Sequence, residues 1–428
     1  MDARQGQQII MDLVEDFIGR YRREYDFYDQ AARLAAQQLE LRLQTAGVRA
    51  MVTFRAKSAA RLEPKVRARA RRKNYTKIES IYDDIPDLAG VRVALYFPAE
   101  REQVDLIIDE LFALAQTKAF PDGSAAAYPK IFSGYKATHY RGSLRETTLP
   151  DAQKRYAEAR IEIQVGSVLM HAWAEVEHDL VYKPFQGALS EDEYAILDEL
   201  NGMILAGEIA LERLQRAGNV RVAAAGRKFE NHYELAAHLL NKLHALADPS
   251  TLKTGLGRVD LLYDLLAAIS QATPEGVARY LPGLHSDLEK RPIAEQIVDL
   301  VLSENATERY RIYEELRATR PNPDLLRVAP ESSDTDVHSA MGLFLREWIE
   351  FEQAVRLAAN VAVSSIAQQV SFVQLIDSLQ LDPQTRSMYH SLRRMRNELV
   401  HGHNIPDPER LREAAGELRA IRAKVSRP

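Results

Sequence analysis

The sequence predicts a sheet domain with flanking helices in its first half and an all-helical second half. Two changes of texture carry this expectation. Until about residue 220, short β-branched or aromatic runs bounded by Pro, Gly or charge clusters alternate with helical segments. From about residue 226 the strand-like runs disappear, and amphipathic segments follow one another across Pro, Gly and Ser turns. A length of 428 residues suits two or three domains of about 150 residues each. A composition that is 46% apolar and 27% charged supplies cores for them.

In chain order, the first fifty residues read as long helices. Ile10, Leu13, Val14, Phe17, Ile18 and Tyr21 recur at three- and four-residue spacing, and Tyr25 and Tyr28 continue the stripe. Four strands are predicted next, in MVTFRAKS (51–58), VRVALYF (91–97), ATHYRGSL (137–144) and RIEIQV (160–165). AEREQVDLIIDELFALAQ, residues 99–116, is predicted helical throughout. ELAAHLLNKLHALA, RVDLLYDLLAAIS, PIAEQIVDLVLSE and ERYRIYEELRA supply the middle helices. The predicted organisation is a sheet domain with its N-terminal helices over 1–225, a helical middle region over 226–320, a Pro-rich linker over 321–336, and a last helical unit over 337–428. No fixed-period repeat or low-complexity tract is present.

With no cysteine, disulfide scaffolds, thiol catalysis and zinc fingers are excluded. A formal charge of −5 does not advertise a nucleic-acid binder from the whole-chain balance. No apolar stretch approaches the roughly 18 residues that span a bilayer, so no membrane partner is expected. Acids inside the first apolar stretch, MDARQGQQIIMDLVEDF, are unlike a secretory signal, and a cytoplasmic location is the expectation.

Five features of the first half carry chemistry. Arg55, Lys57, Arg61 and Lys65 fall at the end of one strand and on the helix after it, and the stretch 51–77 holds ten Lys or Arg against the single acid Glu63. Such a local field suits polyphosphate. DIPDLAGVR sets Asp87 just before a strand, with Gly90 for close backbone approach and Arg92 on the strand. SGYKATHY presents Tyr135 and His139 after a glycine turn. IEIQV puts Glu162 and Gln164 two apart, on one face of a strand. HAWAEVEHDLVYK is a helix carrying Trp173, Glu177 and Lys183. Singly, each has a plain structural explanation: Arg67, Arg69, Arg71, Arg72 and Lys73 as a solvated face, Trp173 as core, Asp83 and Asp84 as a helix or turn boundary. Together, two carboxylates on adjacent strands would hold Mg²⁺ through oxygen ligands and leave positions for phosphate. Arginines would stack a base and neutralise phosphates. That is the equipment of a nucleotidyl or phosphoryl transferase.

In this order and at these separations, RAKSAARLEPK, DLAGVR, SGYKATHY, EIQV and WAEVEHDLVYK resemble the synthetase domain of the RelA/SpoT family, over roughly residues 40–215. The resemblance implies an α+β fold, the polymerase-β-like nucleotidyltransferase with a mixed sheet flanked by helices, followed here by an all-α carboxy-terminal region. It implies Mg²⁺-dependent transfer of the β,γ-pyrophosphate of ATP to a 3′-hydroxyl. No separate His-Asp hydrolase motif is present, so the chain is similar to the small alarmone synthetases. Carried over, Arg55 and Arg92 would sandwich the adenine of ATP, while Lys57 and Lys65 would hold its phosphates. Asp87 and Glu162 would bind Mg²⁺; Glu162 would also orient or deprotonate the attacking hydroxyl, supported by Gln164. Tyr135 would stack on the acceptor base and His139 would contact the transferred phosphate.

Three departures from the family pattern matter, two of them losses of a cation on the acceptor side. Arg61 stands where the family has Ser between the two lysines. Ile131 stands where a basic residue is expected four before the acceptor tyrosine, leaving Lys130, displaced by one, as the acceptor-side cation. EIQVGS puts Gly166 where the family has an arginine. The ATP side is nearly intact, and the losses weaken GDP or GTP as acceptor. They fit better with the family's toxic branch, which pyrophosphorylates the 3′ CCA end of tRNA. A guanosine or adenosine nucleotide stays open as the acceptor. For an RNA acceptor, the basic stretch 61–77 would contact backbone phosphates; as a plain helix it would be a solvated face.

In the last unit, Met388, Leu392, Met395 and Leu399 form a core-facing stripe on a helix that ends in Arg396 to His401, with Gly402 as a cap. An arginine and a histidine five apart resemble the short motif of HEPN domains, several of which are metal-independent ribonucleases. His401 would be the acid or base and Arg396 the charge stabiliser. In the structural alternative Arg396 pairs with an acid and His401 meets the helix C-terminal dipole. The alternative functions are therefore a HEPN-type ribonuclease, or an interaction or defence protein, with a regulatory nucleotide-binding domain. Candidate regulators of a lethal synthetase are an antitoxin partner or residues 226–428 acting in cis, and a homo-oligomer is a further expectation.

Overall fold

The computed structural model describes residues 3–73, 75–120, 131–132, 136–182, 189–222, 227–246, 255–284, 292–304, 306–320, 335–358, 376, 379, 381–401 and 407–425. Its residues fall into two compact units, Met1–Gln44 with Val48–Gly218, and Thr45–Gly47 with Asn219–Pro428.

In the first unit the opening apolar stripe forms one long helix, α1 (Ala3–Thr45). Val14, Phe17, Ile18 and Tyr21 are buried against Leu62, Val66 and Ala70 of α2 (Ala59–Lys73) and Ile81 of α3 (Ile78–Asp84). Full burial of each such side chain contributes about 1.5–3 kcal/mol relative to exposure. The Tyr21 hydroxyl donates to Lys57 O at 2.6 Å, tying α1 to the chain just after the first strand.

The sheet has five strands: β1 (Ala50–Ala56), β2 (Ala89–Leu95), β3 (Phe112–Phe120), β4 (Ala137–Leu144) and β5 (Ile161–Ser167). Their order is β1-β2-β5-β4-β3, with β2 and β5 parallel and the other pairs antiparallel. Helices α4 (Arg101–Leu111), α5 (Val168–Tyr182) and α6 (Glu191–Val222) are the other α-helices described in this part of the chain. The mixed sheet with flanking helices is the expected α+β architecture. Ser167 makes the switch from β5 to α5, its Oγ accepting from Met170 N at 3.0 Å as an N-terminal cap.

One predicted element is corrected. The helix expected over 99–116 stops at Leu111, and Phe112–Phe120 is the edge strand β3, paired from Phe112↔Leu144 to Phe120↔Ala137 with a bulge between Leu114 and Gln116. Ala, Leu and Gln favour helix in isolation, but an open edge on β4 overrides that preference.

The second unit is helical: α7 (His232–Leu246), α8 (Val259–Ala268), α9 (Pro274–Ala278), α10 (Ile293–Glu304), α11 (Ala306–Thr319), α12 (Thr335–Ala358), α13 (Pro383–His401) and α14 (Pro408–Val425). Leu262, Leu265, Ile297, Val301, Phe344 and Phe351 lie in one buried cluster with Leu392 and Leu418. Trp348 of α12 stacks on Tyr389 of α13 at 6.1 Å between ring centroids. Of the expected linker, Thr335 and Asp336 open α12, and 321–334 lie outside the described residues. Among the described residues no helix is long and apolar enough to cross a membrane.

Candidate active site

Strand register assembles the site. Arg55, Gly90, Glu162, Arg141 and Gln116 fall opposite one another across the five strands, and Thr53, Arg92, Gln164, His139 and Lys118 form the neighbouring row. Because side chains alternate, both rows share one face. The intervening residues Val91, Val93, Ile161, Ile163 and Val165 are buried. Glu162 is at the centre of the first row, and Gly90 is its neighbour on β2, where any side chain would rise between Arg55 and Glu162.

Asp87 lies in the turn before β2. Its carboxylate accepts from Lys65 Nζ at 3.1 and 3.2 Å and from Lys57 Nζ. Burial would raise its pKa, but Lys57 and Lys65 outweigh this and hold it at about 2. Burial likewise pulls the Lys57 ammonium down, and Asp87 opposes that shift. Glu162 is 6% exposed. Its Oε1 accepts from Arg141 Nε at 2.9 Å and its Oε2 from Gln164 Nε2 at 3.1 Å, with His139 Nδ1 3.8 Å from Oε1. Burial pushes this acid up, while His139, Arg141 and Gln164 bring it to about 2. Gln164 Oε1 accepts from Arg92 Nε at 3.3 Å, and the other end of Arg92 pairs with Glu175 of α5. A continuous polar chain therefore runs Arg141–Glu162–Gln164–Arg92–Glu175.

Two cavities open onto this face. A small cleft of about 80 Å³ is lined by Arg55, Lys57, Gly90, Arg92 and Gln164. A broad one of about 890 Å³ is lined by Lys65, Arg69, Gln116, His139, Arg141 and Arg160. Asp87 and Glu162 line both. The structure thus brings Arg55, Lys57, Asp87, Arg92, Glu162 and Gln164 to the cleft, and Lys65 and His139 to the other side of the same two acids. Among the described residues no group of three or more acids or histidines gathers as a metal cage. The two ionised carboxylates still suit Mg²⁺, which is commonly held by one or two protein carboxylates plus substrate phosphates.

Tyr135, Lys130 and Lys183 lie outside the described residues. Ile131 is exposed, and its backbone N–H donates to Asp198 Oδ2 at 2.8 Å. Phe132 N–H donates to Asp198 Oδ1 at 3.2 Å, and Asn201 Nδ2 donates to Phe132 O at 3.1 Å, so α6 pins this short segment. Gly166 occupies a tight place: a Cβ there would lie 3.3 Å from His171 Nε2 and 3.5 Å from Lys136 O. Burial lowers the His171 pKa to about 4, and its Nε2 meets Val93 O at 3.1 Å, so a neutral ring stands beside the position of the missing arginine.

Most of the basic helix α2 is engaged within the chain. Arg67 pairs with Glu63 at 2.7 Å, Arg69 with Asp84 at 3.0 Å, and Lys73 with Asp84. Arg61, Arg71 and Arg72 are exposed. Trp173 is core, packed with Leu197. In the second unit Arg396, 3% exposed, is ion-paired with Asp299 of α10. His401 ends α13, and its side chain lies outside the described residues.

Three contributors were not singled out from the sequence: Arg141, Glu175 and the Asp198–Asn201 pair. Arg141 follows His139 by two and so shares its face of the strand, a signal that period-2 reading contains.

Residues 54–186 match the family model described as the region found in RelA / SpoT proteins. None of the curated proteins compared matches the chain. Among solved structures, small alarmone synthetase 1 from Bacillus subtilis is 19% identical, covering 46% of this chain and 97% of its own, with a TM-score of 0.36. A GTP pyrophosphokinase family protein from Streptococcus pneumoniae is 19% identical over 46% of this chain and 94% of its own, with a TM-score of 0.37. Small alarmone synthetase 2 from Bacillus subtilis is 17% identical over 47% of this chain and 98% of its own, with a TM-score of 0.33. Asp87, Glu162 and all the sheet residues named around them except Thr53 fall within 54–186, so the polar sheet face lies in the stretch that matches this family model.

Proposed function

We propose that the chain is a Mg²⁺-dependent pyrophosphokinase that moves the β,γ-pyrophosphate of ATP to the 3′-hydroxyl of a nucleotide. The observation that supports this most is that Asp87 and Glu162 border both cavities. A donor in one and an acceptor in the other would meet at the same two carboxylates, and holding two reactants in line is a large part of catalysing phosphoryl-type transfer.

The cleft is the donor side. Arg55 and Arg92 flank it and suit the adenine, while Lys57 in the cleft, with Lys65 reaching the same Asp87 from the larger cavity, suits the phosphates. Asp87 and Glu162 would hold Mg²⁺, which when bound supplies charge neutralisation at the phosphate oxygens. The acceptor 3′-oxygen forms its bond to the β-phosphorus, the bond from that phosphorus to the α,β-bridging oxygen breaks, AMP leaves with that oxygen, and the hydroxyl proton passes to solvent. Glu162 orients the attacking hydroxyl and Gln164 fixes the Glu162 carboxylate. At about 2, the unliganded Glu162 accepts a hydrogen bond far more readily than a proton. His139 faces the larger cavity, where the transferred group would pass. Tyr135 and Lys130 keep the acceptor-side roles that the resemblance gives them.

The 3′ end of tRNA is the second acceptor reading, favoured by the breadth of the larger cavity and by Gly166 with its neutral neighbour His171. The acids paired along α2 count against a long RNA track there. A HEPN-type ribonuclease is disfavoured, because Arg396 is committed to Asp299 inside the second unit.

The test is transfer from ATP labelled at the γ-phosphate, with Mg²⁺ and, in turn, GDP, GTP, adenine nucleotides and deacylated tRNA. Label on a nucleotide is the expected outcome, with a loss on the order of 100-fold or more in Glu162→Gln and in Asp87→Asn. Label on the tRNA 3′ end moves the acceptor to the second reading. Label on none of them refutes pyrophosphate transfer.

A further inference from the structure

Arg141 is absent from the set of residues that the RelA/SpoT resemblance assigns, yet it hydrogen-bonds directly to Glu162. The register sets it directly opposite that acid on β4, and its Nε donates to Glu162 Oε1 at 2.9 Å. Its Nη1 donates to Gln116 Oε1 at 2.9 Å on the edge strand β3. The guanidinium is thus held by a charged acid on one side and a neutral amide on the other, at the floor of the broad cavity.

We propose that Arg141 is a positioning residue that covers the Glu162 carboxylate in the absence of nucleotide and yields it to a divalent cation. The proposal rests on the pyrophosphokinase reading of the site. A guanidinium hydrogen-bonded to Oε1 opposes a divalent ion on the same carboxylate, because like charges a few ångströms apart in a partly buried site repel strongly. The same arrangement is seen at the other acid, where Lys57 and Lys65 cover Asp87. On leaving Glu162, Arg141 keeps Gln116 as its anchor and remains in the cavity, where its forked donors suit phosphate oxygens. The neutral amide therefore makes the exchange reversible: it stabilises Arg141 away from the acid without competing for the cation.

The experiment titrates the full chain with Mn²⁺ alone, without nucleotide, following bound ion by electron paramagnetic resonance. Arg141→Gln is expected to bind Mn²⁺ on the order of tenfold more tightly than the wild type. Gln116→Ala, at an exposed position, removes only the alternative anchor of Arg141 and is expected to weaken Mn²⁺ binding by roughly two- to fivefold. Glu162→Gln is expected to abolish it. In transfer assays, Arg141→Gln is expected to reach half-maximal rate at lower Mg²⁺ while its kcat falls. A cross-strand pair of purely structural value would shift melting temperature and leave Mn²⁺ affinity alone. Unchanged Mn²⁺ affinity in both Arg141→Gln and Gln116→Ala, or full Mn²⁺ binding by Glu162→Gln, overturns the proposal. Should Arg141→Gln fail to fold, Gln116→Ala decides it. Failure of the parent reading is distinct: the wild type would transfer no label to any acceptor while these Mn²⁺ affinities still moved.

Discussion

Glu100 shows what burial does to one carboxyl in the first unit. It is 9% exposed; its Oε2 accepts from Arg49 N at 3.2 Å and its Oε1 from Gln215 Nε2 at 3.2 Å. Burial pushes its pKa from 4.5 to about 7, and the Arg49 N–H offsets only part of that. The folded chain therefore holds this proton more tightly than the unfolded chain. The resulting stabilisation is complete below about pH 4.5 and is lost as pH rises through about 7, with a ceiling of roughly 3 kcal/mol. Glu100→Gln is expected to flatten stability between pH 5 and pH 8 and to raise it at pH 8, read from urea unfolding at both values. A wild type whose loss of stability on going to pH 8 matches that of the variant would contradict this. The sequence carried no sign of Glu100, since an acid before a helix looks like any surface acid. Asp87 and Glu162 were legible because each stands in a short motif with its own spacing. The face of Arg141 was readable from its spacing to His139, but its pairing with Glu162, like that of Glu175 with Arg92, was not, because the partners lie far along the chain and meet only in the folded sheet.

At the scale of elements, the strands with β-branched residues were read from sequence and β3 was not. FALAQTKAF has the composition of a helix and follows one without a breaker, so only its pairing with β4 makes it a strand. That pairing depends on Gly142 of β4. A Cβ there would overlap Ala113 O and lie 3.0 Å from Leu114 Cα, beside the bulge between Leu114 and Gln116. Backbone atoms cannot rotate away as a side chain can, so Gly142→Ala has to push the edge strand outward. The expected cost is about 1–3 kcal/mol in overall stability. Amide exchange should quicken along 112–120 more than along β2 or β5. Uniform protection in the variant would mean that β3 accommodates the methyl without moving. The same displacement would carry Gln116 away from Arg141, linking the edge strand to the chemistry of the central acid.

For the whole molecule, the two compact units each hold one of the chain's two tryptophans, Trp173 in the first and Trp348 in the second. Fluorescence can therefore follow the units separately, with Trp173→Phe leaving Trp348 as the reporter of the second. Within that unit Arg396 and Asp299 form a buried ion pair surrounded by the apolar cluster of α10, α12 and α13. Removing one partner of such a pair leaves a buried charge uncompensated and costs about 3–5 kcal/mol, whereas replacing both with apolar groups is often nearly neutral. Arg396→Met and Asp299→Leu are each expected to shift the Trp348 transition by that amount, and the double variant to recover most of it. Pyrophosphate transfer at a temperature where the chain is folded should persist in all three, since its acids belong to the first unit. A catalytic Arg396 in a ribonuclease would behave in the opposite way: RNA cleavage would vanish in Arg396→Met, the Trp348 transition would stay in place, and Asp299→Leu would rescue nothing. The buried pair makes the first pattern the physical expectation, because an arginine that must stay neutralised to keep its unit folded is poorly placed to meet a developing charge on a substrate.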